Sequence, residues 1–168
     1  VKQGFTDSAA AATAMSTGHK SYNAAIGVIP DAAALAAQGK TVENADVDPA
    51  GLPIANAEHM IERAEKLGKA TGVVTSVPLS HATPAGFCAH NRTRNDYAGI
   101  AREMILDSAL EVIMGTGHPM FDDNARPAEF PATDNDRAKR YQYVGGMDTW
   151  NKLVAGEAGA DCDGDGAP

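Results

Sequence analysis

A strand–helix–strand pattern between residues 70 and 114 constrains the fold of this chain more than any other feature. Residues 70–77 are rich in β-branched side chains and lie between Gly68 and Pro78, which predicts a buried strand. Apolar residues at helical spacing mark residues 97–105 as an amphipathic helix, and residues 110–114 form a second apolar run. This order implies a right-handed crossover between parallel strands, so we expect an α/β fold.

Two further helices are expected upstream of this unit. Residues 8–16 are almost entirely alanine, the residue with the highest helix propensity, and Asp7 or Ser8 can cap the start while Gly18 ends the helix. Apolar residues also recur at helical spacing within residues 56–68, where an asparagine suits the N-cap and a glycine suits the C-terminal stop.

The remaining segments are expected to consist mostly of loops. Residues 19–55 contain three prolines and a polar run, which predicts loops around a short strand at residues 25–29. Residues 116–147 contain three more prolines and many polar side chains, which indicates a long surface excursion. A short helix is expected near residues 148–154.

Composition argues against two classes of partner. A formal net charge of −8 is unsuited to neutralising nucleic-acid phosphates, so we expect no nucleic acid partner. No apolar run approaches the roughly 20 residues that a bilayer crossing needs, so we expect no membrane span. The cysteines, Cys88 and Cys162, are too few for a disulfide scaffold, and the sequence does not decide whether they pair.

A hydroxyl at the start of the alanine helix is the first candidate for chemistry. Ser8 lies where backbone N–H groups and the positive end of the helix dipole converge, which favours an anion. Such a serine can attack phosphorus if its hydroxyl is activated, and a neighbouring Zn²⁺ would suffice. The residues alone leave open the alternative that Ser8 or Asp7 simply caps the helix.

Three downstream side chains suit phosphate or metal chemistry. Arg94, like its neighbour Arg92, carries a guanidinium that can bind two phosphate oxygens and stays charged at alkaline pH. Thr83 offers the oxygen ligand that Mg²⁺ prefers, and His81 lies two residues before it. The structural alternatives are a solvated arginine, a turn-capping threonine and a structural histidine.

An acidic, glycine-containing segment lies near the end of the sequence. Residues 161–166 match the opening of a calcium loop, with aspartates at alternate positions and a glycine at the sixth. No bidentate glutamate follows within the sequence. An acidic glycine-rich turn is therefore the simpler interpretation.

Two segments resemble the alkaline phosphatase family. Residues 6–18, which read TDSAAAATAMSTG, are similar to the family's nucleophile segment, and the similarity continues to Asn23. Residues 68–85 resemble the segment that places a magnesium-binding hydroxyl beside the reaction centre. The resemblance covers the chain from Asp7 to about Asp122 and implies the family's fold, a central, mostly parallel sheet flanked by helices.

The resemblance also implies roles for individual residues. Ser8 would be the nucleophile that becomes phosphorylated, and Asp7 would position the active-site arginine. Arg94, which precedes the helix start, would hold the phosphate. The metal-binding candidates would be Ser8 for zinc, Thr83 for magnesium, and His81 beside the magnesium site.

The implied activity is hydrolysis of small-molecule phosphate monoesters through a phosphoserine, with two zinc ions and one magnesium ion, in a periplasmic or secreted, homodimeric parent protein. Residues 1–168 would be part of its catalytic domain, with residues 116–168 as the surface excursion and acidic loop. Both ends look cut, and the other histidines do not match the family's zinc positions, so this segment alone is expected to be inactive. The alternatives are a sulfatase-like hydrolase of the same superfamily and a non-enzymatic, acidic calcium-binding module.

Overall fold

The computed structural model describes residues 5–41, 51–108, 110–122, 124–129 and 133–159. In that part of the chain the strands are β1 (Val28–Pro30), β2 (Ile54–Asn56), β3 (Gly72–Pro78) and β4 (Val112–Thr116). The α-helices are α1 (Ser8–Thr17), α2 (Ala32–Ala37), α3 (Met60–Lys66), α4 (Ala82–Ala85), α5 (Tyr97–Arg102), α6 (Asp134–Arg140) and α7 (Met147–Ala155).

The predicted strand–helix–strand unit is confirmed. β3 and β4 pair in parallel, with Gly72 opposite Val112, and α5 lies between them in the sequence. α5 continues into a π-helical turn, Glu103–Asp107. β1 and β2 form a separate antiparallel pair, so the described strands make two small sheets. The chain is therefore α/β, as expected.

The strand predicted at residues 70–77 forms as β3, but it is buried on one face only. Val73 is buried, but the side chain of Val74 on the opposite face of β3 is 73% exposed. Val112 and Met114 of β4 are also exposed. The alternation arises because successive side chains of a strand point to opposite faces, and the core covers one of these faces. A continuous apolar run cannot show this difference.

The alanine helix α1 forms as predicted. Asp7 is its N-cap, and Gly18 ends it in the left-handed conformation, with φ of 76°. The small side chains allow α1 to pack closely against α4, and Ser16 Oγ donates a hydrogen bond to the carbonyl of Gly86 just after α4. The core beside α1 contains Ala9, Ile26, Val73, Ala82, Ala85, Cys88, Ala89, Ile100 and Met104.

One helix boundary and one additional helix upstream differ from the prediction. α3 begins at Met60 after His59, because Asn56, the expected N-cap, pairs with Val28 in the antiparallel sheet. The helix α2 was not predicted, since the prolines around it suggested loops; Asp31 caps its start by accepting a hydrogen bond from the Ala34 N–H.

Beyond β4, the chain contains more structure than an excursion of loops. α6 and a 3-10 turn, Gln142–Val144, precede α7, and the side chains of Tyr141 and Val144 are buried. Residues 161–166 and Cys162 lie outside the described residues, whereas Cys88 is a buried free thiol. None of the described helices has the length and apolar character that crossing a membrane requires.

Candidate active site

Asp7 organises the start of α1. Its Oδ1 accepts the N–H of Ala10 at 3.0 Å, and its Oδ2 accepts the N–H of Ala24 at 3.0 Å. Its own N–H donates to Asn23 Oδ1 at 3.1 Å. Asp7 is thus both a helix cap and the group that fixes the following loop against the helix, so its structural and site roles coincide.

Arg94 reaches the same point from a distant part of the sequence. Its Nη1 donates to Ser8 Oγ at 2.7 Å, across 86 residues, and lies 3.3 Å from Asp7 Oδ2. Its backbone N–H donates to the carbonyl of Ala24 at 2.8 Å, which anchors the arginine to the loop that Asp7 also holds. The fold therefore brings together the candidate nucleophile, the aspartate and the arginine.

His81 approaches the other side of the guanidinium. Its Nε2 lies 3.4 Å from Arg94 Nη2, and its ring stacks on Tyr97 with centroids 6.4 Å apart. Burial and the charge of Arg94 lower the pKa of His81, so the neutral ring accepts the hydrogen bond from the guanidinium. We call Asp7, Ser8, His81 and Arg94 the Ser8 corner.

Arg92 and Thr83 have other surroundings than Arg94. Arg92 Nη1 donates to the carbonyl of Leu52 at 2.6 Å, so the two neighbouring arginines have different surroundings. Thr83 is exposed on α4 and lines an open cavity of about 240 Å³ beside β3. The lining of this cavity contains neither Ser8 nor Arg94.

Sequence reasoning missed Ala24, the residue that contacts both Asp7 and Arg94. Ala24 adopts φ of 73°, which is uncommon for a residue other than glycine, asparagine or aspartate. In this conformation its N–H binds Asp7 while its carbonyl binds Arg94. Its alanine side chain gives no signal of this role, because both bonds are made by the backbone. The role of Tyr97 as a stacking partner was missed as well.

The electrostatics of the corner favour an anion. One guanidinium and the positive end of α1 face Ser8, and the charge of Asp7 is taken up by two N–H groups and the arginine. The guanidinium also stabilises the deprotonated form of the adjacent hydroxyl. A local positive field of this kind favours an anion even on a chain with a net charge of −8.

The corner does not itself assemble a zinc site. A catalytic zinc commonly takes three protein ligands and one open position. Ser8 contributes one oxygen, and His81 Nε2 faces a guanidinium, a cation that disfavours a metal beside it. Thr83 faces the separate cavity beside β3. A metal ion at Ser8 would therefore need ligands in addition to these residues.

Comparison with known proteins gives a consistent result. The family model for alkaline phosphatase matches residues 1–150. Alkaline phosphatase 3 of Bacillus subtilis is 36% identical over 126 residues, which cover 72% of this chain and 22% of that protein. Alkaline phosphatase 4 of the same organism is 35% identical over 145 residues, covering 83% of this chain and 26% of that protein.

A solved structure shows a similar fold. The cold-active alkaline phosphatase of the psychrophile Shewanella sp. matches with a TM-score of 0.51 and 36% identity over 72% of this chain and 25% of that one. The chain thus spans about a quarter of the length of these relatives.

Proposed function

Because the chain belongs to the alkaline phosphatase family, we propose that it carries the nucleophile and the phosphate-binding arginine of an enzyme that hydrolyses phosphate monoesters. The observation that supports this assignment best is the 2.7 Å hydrogen bond from Arg94 Nη1 to Ser8 Oγ. A serine that merely caps a helix does not need a guanidinium, and Asp7 already supplies the cap. Family membership also disfavours the sulfatase-like alternative.

The residues of this chain would act in two steps. Arg94 binds two non-bridging oxygens of the phosphate through its planar guanidinium, which holds phosphorus in line with Ser8 Oγ. Ser8 Oγ then bonds to phosphorus while the bond to the ester oxygen breaks, and the hydroxyl proton is lost as the alcohol takes up a proton from solvent. Water hydrolyses the phosphoserine, which returns the serine hydroxyl and releases phosphate.

The proposal includes zinc and magnesium, whose sites these residues alone would not complete. In the implied chemistry, zinc would supply Lewis-acid activation of the hydroxyl and of the leaving oxygen. Ser8 would be one ligand, Thr83 a magnesium ligand, and His81 a neighbour of the magnesium site. We further propose small-molecule phosphate monoesters as substrates, a periplasmic or secreted location and a homodimeric assembly for the whole protein.

The test uses the gene product that contains this chain, purified with zinc and magnesium. Replacing Ser8 by alanine removes the nucleophile, so kcat for a chromogenic phosphate ester should fall about a thousandfold or more. The exposed Ser76 on β3 offers a control, and Ser76→Ala should keep full activity. Acid quenching during turnover should trap phosphate on the peptide that contains Ser8. Full activity of Ser8→Ala would refute the assignment.

A further inference from the structure

A second polar cluster lies apart from the Ser8 corner and shares no residue with it. Ligand atoms of His59, Glu62 and His90 all lie within 4.8 Å of one another. His59 Nδ1 is 3.2 Å from Glu62 Oε2, and His90 Nε2 is 3.8 Å from the same oxygen. We call these three residues, with Glu103, the His59 cluster. It joins the start of α3 to the segment after α4 and to the π-helical turn.

His59 is buried with one ring nitrogen unpartnered. Its side chain is fully inaccessible to solvent, its Nδ1 faces Glu62 Oε2 at 3.2 Å, and its Nε2 makes no hydrogen bond in the described part of the chain. Burial and the neighbouring His90 lower the pKa of His59 to about 4, so the ring is neutral at physiological pH and carries a free lone pair. A buried polar group without a partner destabilises the folded chain, and a bound ligand would remove this cost.

Glu62 and His90 are oriented by contacts behind them. Glu62 Oε2 accepts the backbone N–H of His59 at 2.7 Å, which holds the carboxylate against the imidazole. His90 Nδ1 lies 3.1 Å from Glu103 Oε1, and the His90 backbone N–H donates to the same oxygen at 2.9 Å. A histidine that ligates a metal commonly donates its other ring N–H to a carboxylate in this way.

The cluster opens onto a negatively charged cavity. The cavity measures about 190 Å³, and Glu62 and His90 line it. Further carboxylates of Glu65, Glu103 and Asp107 line the same space. A cation would be attracted to this space, and the volume is sufficient for an ion together with a water molecule as an additional ligand.

We propose that His59, Glu62 and His90 form a binding site for a divalent transition-metal ion, with zinc as the best match. Two imidazoles and one carboxylate are a common zinc ligand set, and the cavity supplies the fourth, open position. In a tetrahedral site with bonds of about 2.0–2.1 Å, ligand atoms lie about 3.3 Å apart. The 3.2 Å and 3.8 Å separations found here are close to that value.

One competing explanation requires no metal. Burial alone would lower the pKa of His90. The net shift is upward, because His90 has hydrogen bonds to Glu103 and to the Ala57 carbonyl and lies near the charge of Glu62. His90 could thus be an imidazolium that bridges Glu103 and Ala57. This explanation accounts for His90 and leaves Nε2 of the buried His59 ring unpartnered.

The experiment measures zinc binding to the chain after treatment with a chelator. Wild-type protein is titrated with zinc in competition with a chromogenic chelator, and with Co²⁺ to record its visible absorption. The test variant is Glu62→Gln, which keeps the volume and the acceptor for the His59 N–H but removes the anionic ligand. The control is Glu58→Gln, because Glu58 binds Lys66 and Arg63 on the surface and lies outside the cluster.

We expect wild type and Glu58→Gln each to bind one equivalent of zinc. Glu62→Gln should bind this zinc at least tenfold more weakly. The Co²⁺ spectrum of the first two proteins should show the intense bands of a four- or five-coordinate site, and Glu62→Gln should lose them. His59→Asn, in which asparagine can still cap α3, should lose the same equivalent. Equal zinc affinity in wild type and Glu62→Gln, or no zinc uptake by wild type, would overturn the proposal. Either result is independent of turnover at Ser8.

Discussion

The Ser8 corner and the His59 cluster are both polar, but they differ in how their polar groups are satisfied. In the Ser8 corner, Asp7 accepts hydrogen bonds from two backbone N–H groups and lies beside Arg94, which also binds Ser8. In the His59 cluster, the ring of His59 is fully buried and its Nε2 has no hydrogen-bond partner among the described residues. The contacts among Asp7, Ser8 and Arg94 hold the first site in shape, whereas the second site keeps an unsatisfied nitrogen on its most deeply buried ring.

The two sites would also select ligands of opposite charge. The Ser8 corner presents a guanidinium and a helix N-terminus, which suit a phosphate. The His59 cluster presents neutral imidazole and carboxylates, which suit a metal cation. The difference shows how a chain with a net charge of −8 can offer both an anion site and a cation site, because local contacts rather than net charge set each field.

Gly27 connects the two sites, and its substitution should have the largest effect on stability. Its N–H donates to Thr13 Oγ1 of α1 at 3.0 Å, and its φ is +58°. A Cβ at this position would overlap the Ala89 carbonyl and lie 2.5 Å from His59 Nε2. Left-handed strain and overpacking together predict that Gly27→Ala lowers the free energy of unfolding by about 2–5 kcal/mol.

Urea denaturation of the chain measures this effect, and Gly39→Ala is the matched control. Gly39 also has a positive φ, +68°, but a Cβ there would meet no atom within 4 Å. Only the conformational cost of about 1–2 kcal/mol should remain. Equal stability of the two variants would show that Gly27 does not lie as close to His59 as described. It would also contradict the role of Gly27 in connecting the two sites.

The second prediction concerns phosphate binding at the Ser8 corner. Arg94→Ala removes a charged, bidentate contact, which is worth about 1.5–3 kcal/mol, so the Kd for inorganic phosphate should rise about 10- to 150-fold. Arg92→Ala should change the Kd little, because that side chain donates to the Leu52 carbonyl. Calorimetric titration of the gene product that contains this chain measures the Kd of each variant. A larger rise in Kd for Arg92→Ala than for Arg94→Ala would refute the assignment of Arg94.

The third prediction is a pH dependence of stability that arises in the His59 cluster. The pKa of His59 is lowered to about 4 by burial and by His90, whereas an unfolded histidine titrates near its ordinary value of 6.5. Between these values the unfolded chain binds more protons, so this contribution to stability is complete above about pH 6.5 and is lost as the pH falls toward 4. The slope approaches about 1.4 kcal/mol per pH unit.

Denaturation curves in the presence of a chelator isolate this contribution. His59→Asn removes the titrating ring but leaves the carboxylates of Glu62 and Glu103, so the difference from wild type reports His59. His90 has the opposite sign, since its raised pKa adds stability that is lost as the pH rises through its folded value. Parallel pH profiles of wild type and His59→Asn would show that the ring of His59 is hydrated in the folded state.

The Ser8 corner could be predicted from the sequence because its local part is continuous. Asp7 and Ser8 are neighbours at the start of an alanine helix, and a guanidinium is the natural partner of a phosphate. The choice of Arg94 over Arg92 depended on the family resemblance, and the structure places Arg94 at Ser8. The backbone contacts of Ala24 could not be predicted, because backbone N–H and carbonyl groups are the same in every residue except proline.

The His59 cluster could not be found from spacing alone. His59 and Glu62 are three residues apart in the sequence. His90 comes much later, and its ring contacts the carbonyl of Ala57, which lies 33 residues before it. Only the packing of α3 beside the segment after α4 brings these groups together. For the same reason the α/β unit was predicted from local periodicity, whereas the exposed face of β3 was not, since exposure depends on what the rest of the chain covers.

Thr83 gives the smallest expected effect on stability and the sharpest test of where the Ser8 corner ends. Its side chain is exposed, so Thr83→Ala should change the free energy of unfolding by less than about 0.5 kcal/mol. If Thr83 is a magnesium ligand in the assembled enzyme, the same variant should need a higher magnesium concentration for half-maximal activity, and Thr83→Ser, which keeps the hydroxyl, should not. Unchanged magnesium dependence in both variants would mean that Thr83 belongs to the cavity beside β3 and that the corner is limited to Asp7, Ser8, His81 and Arg94.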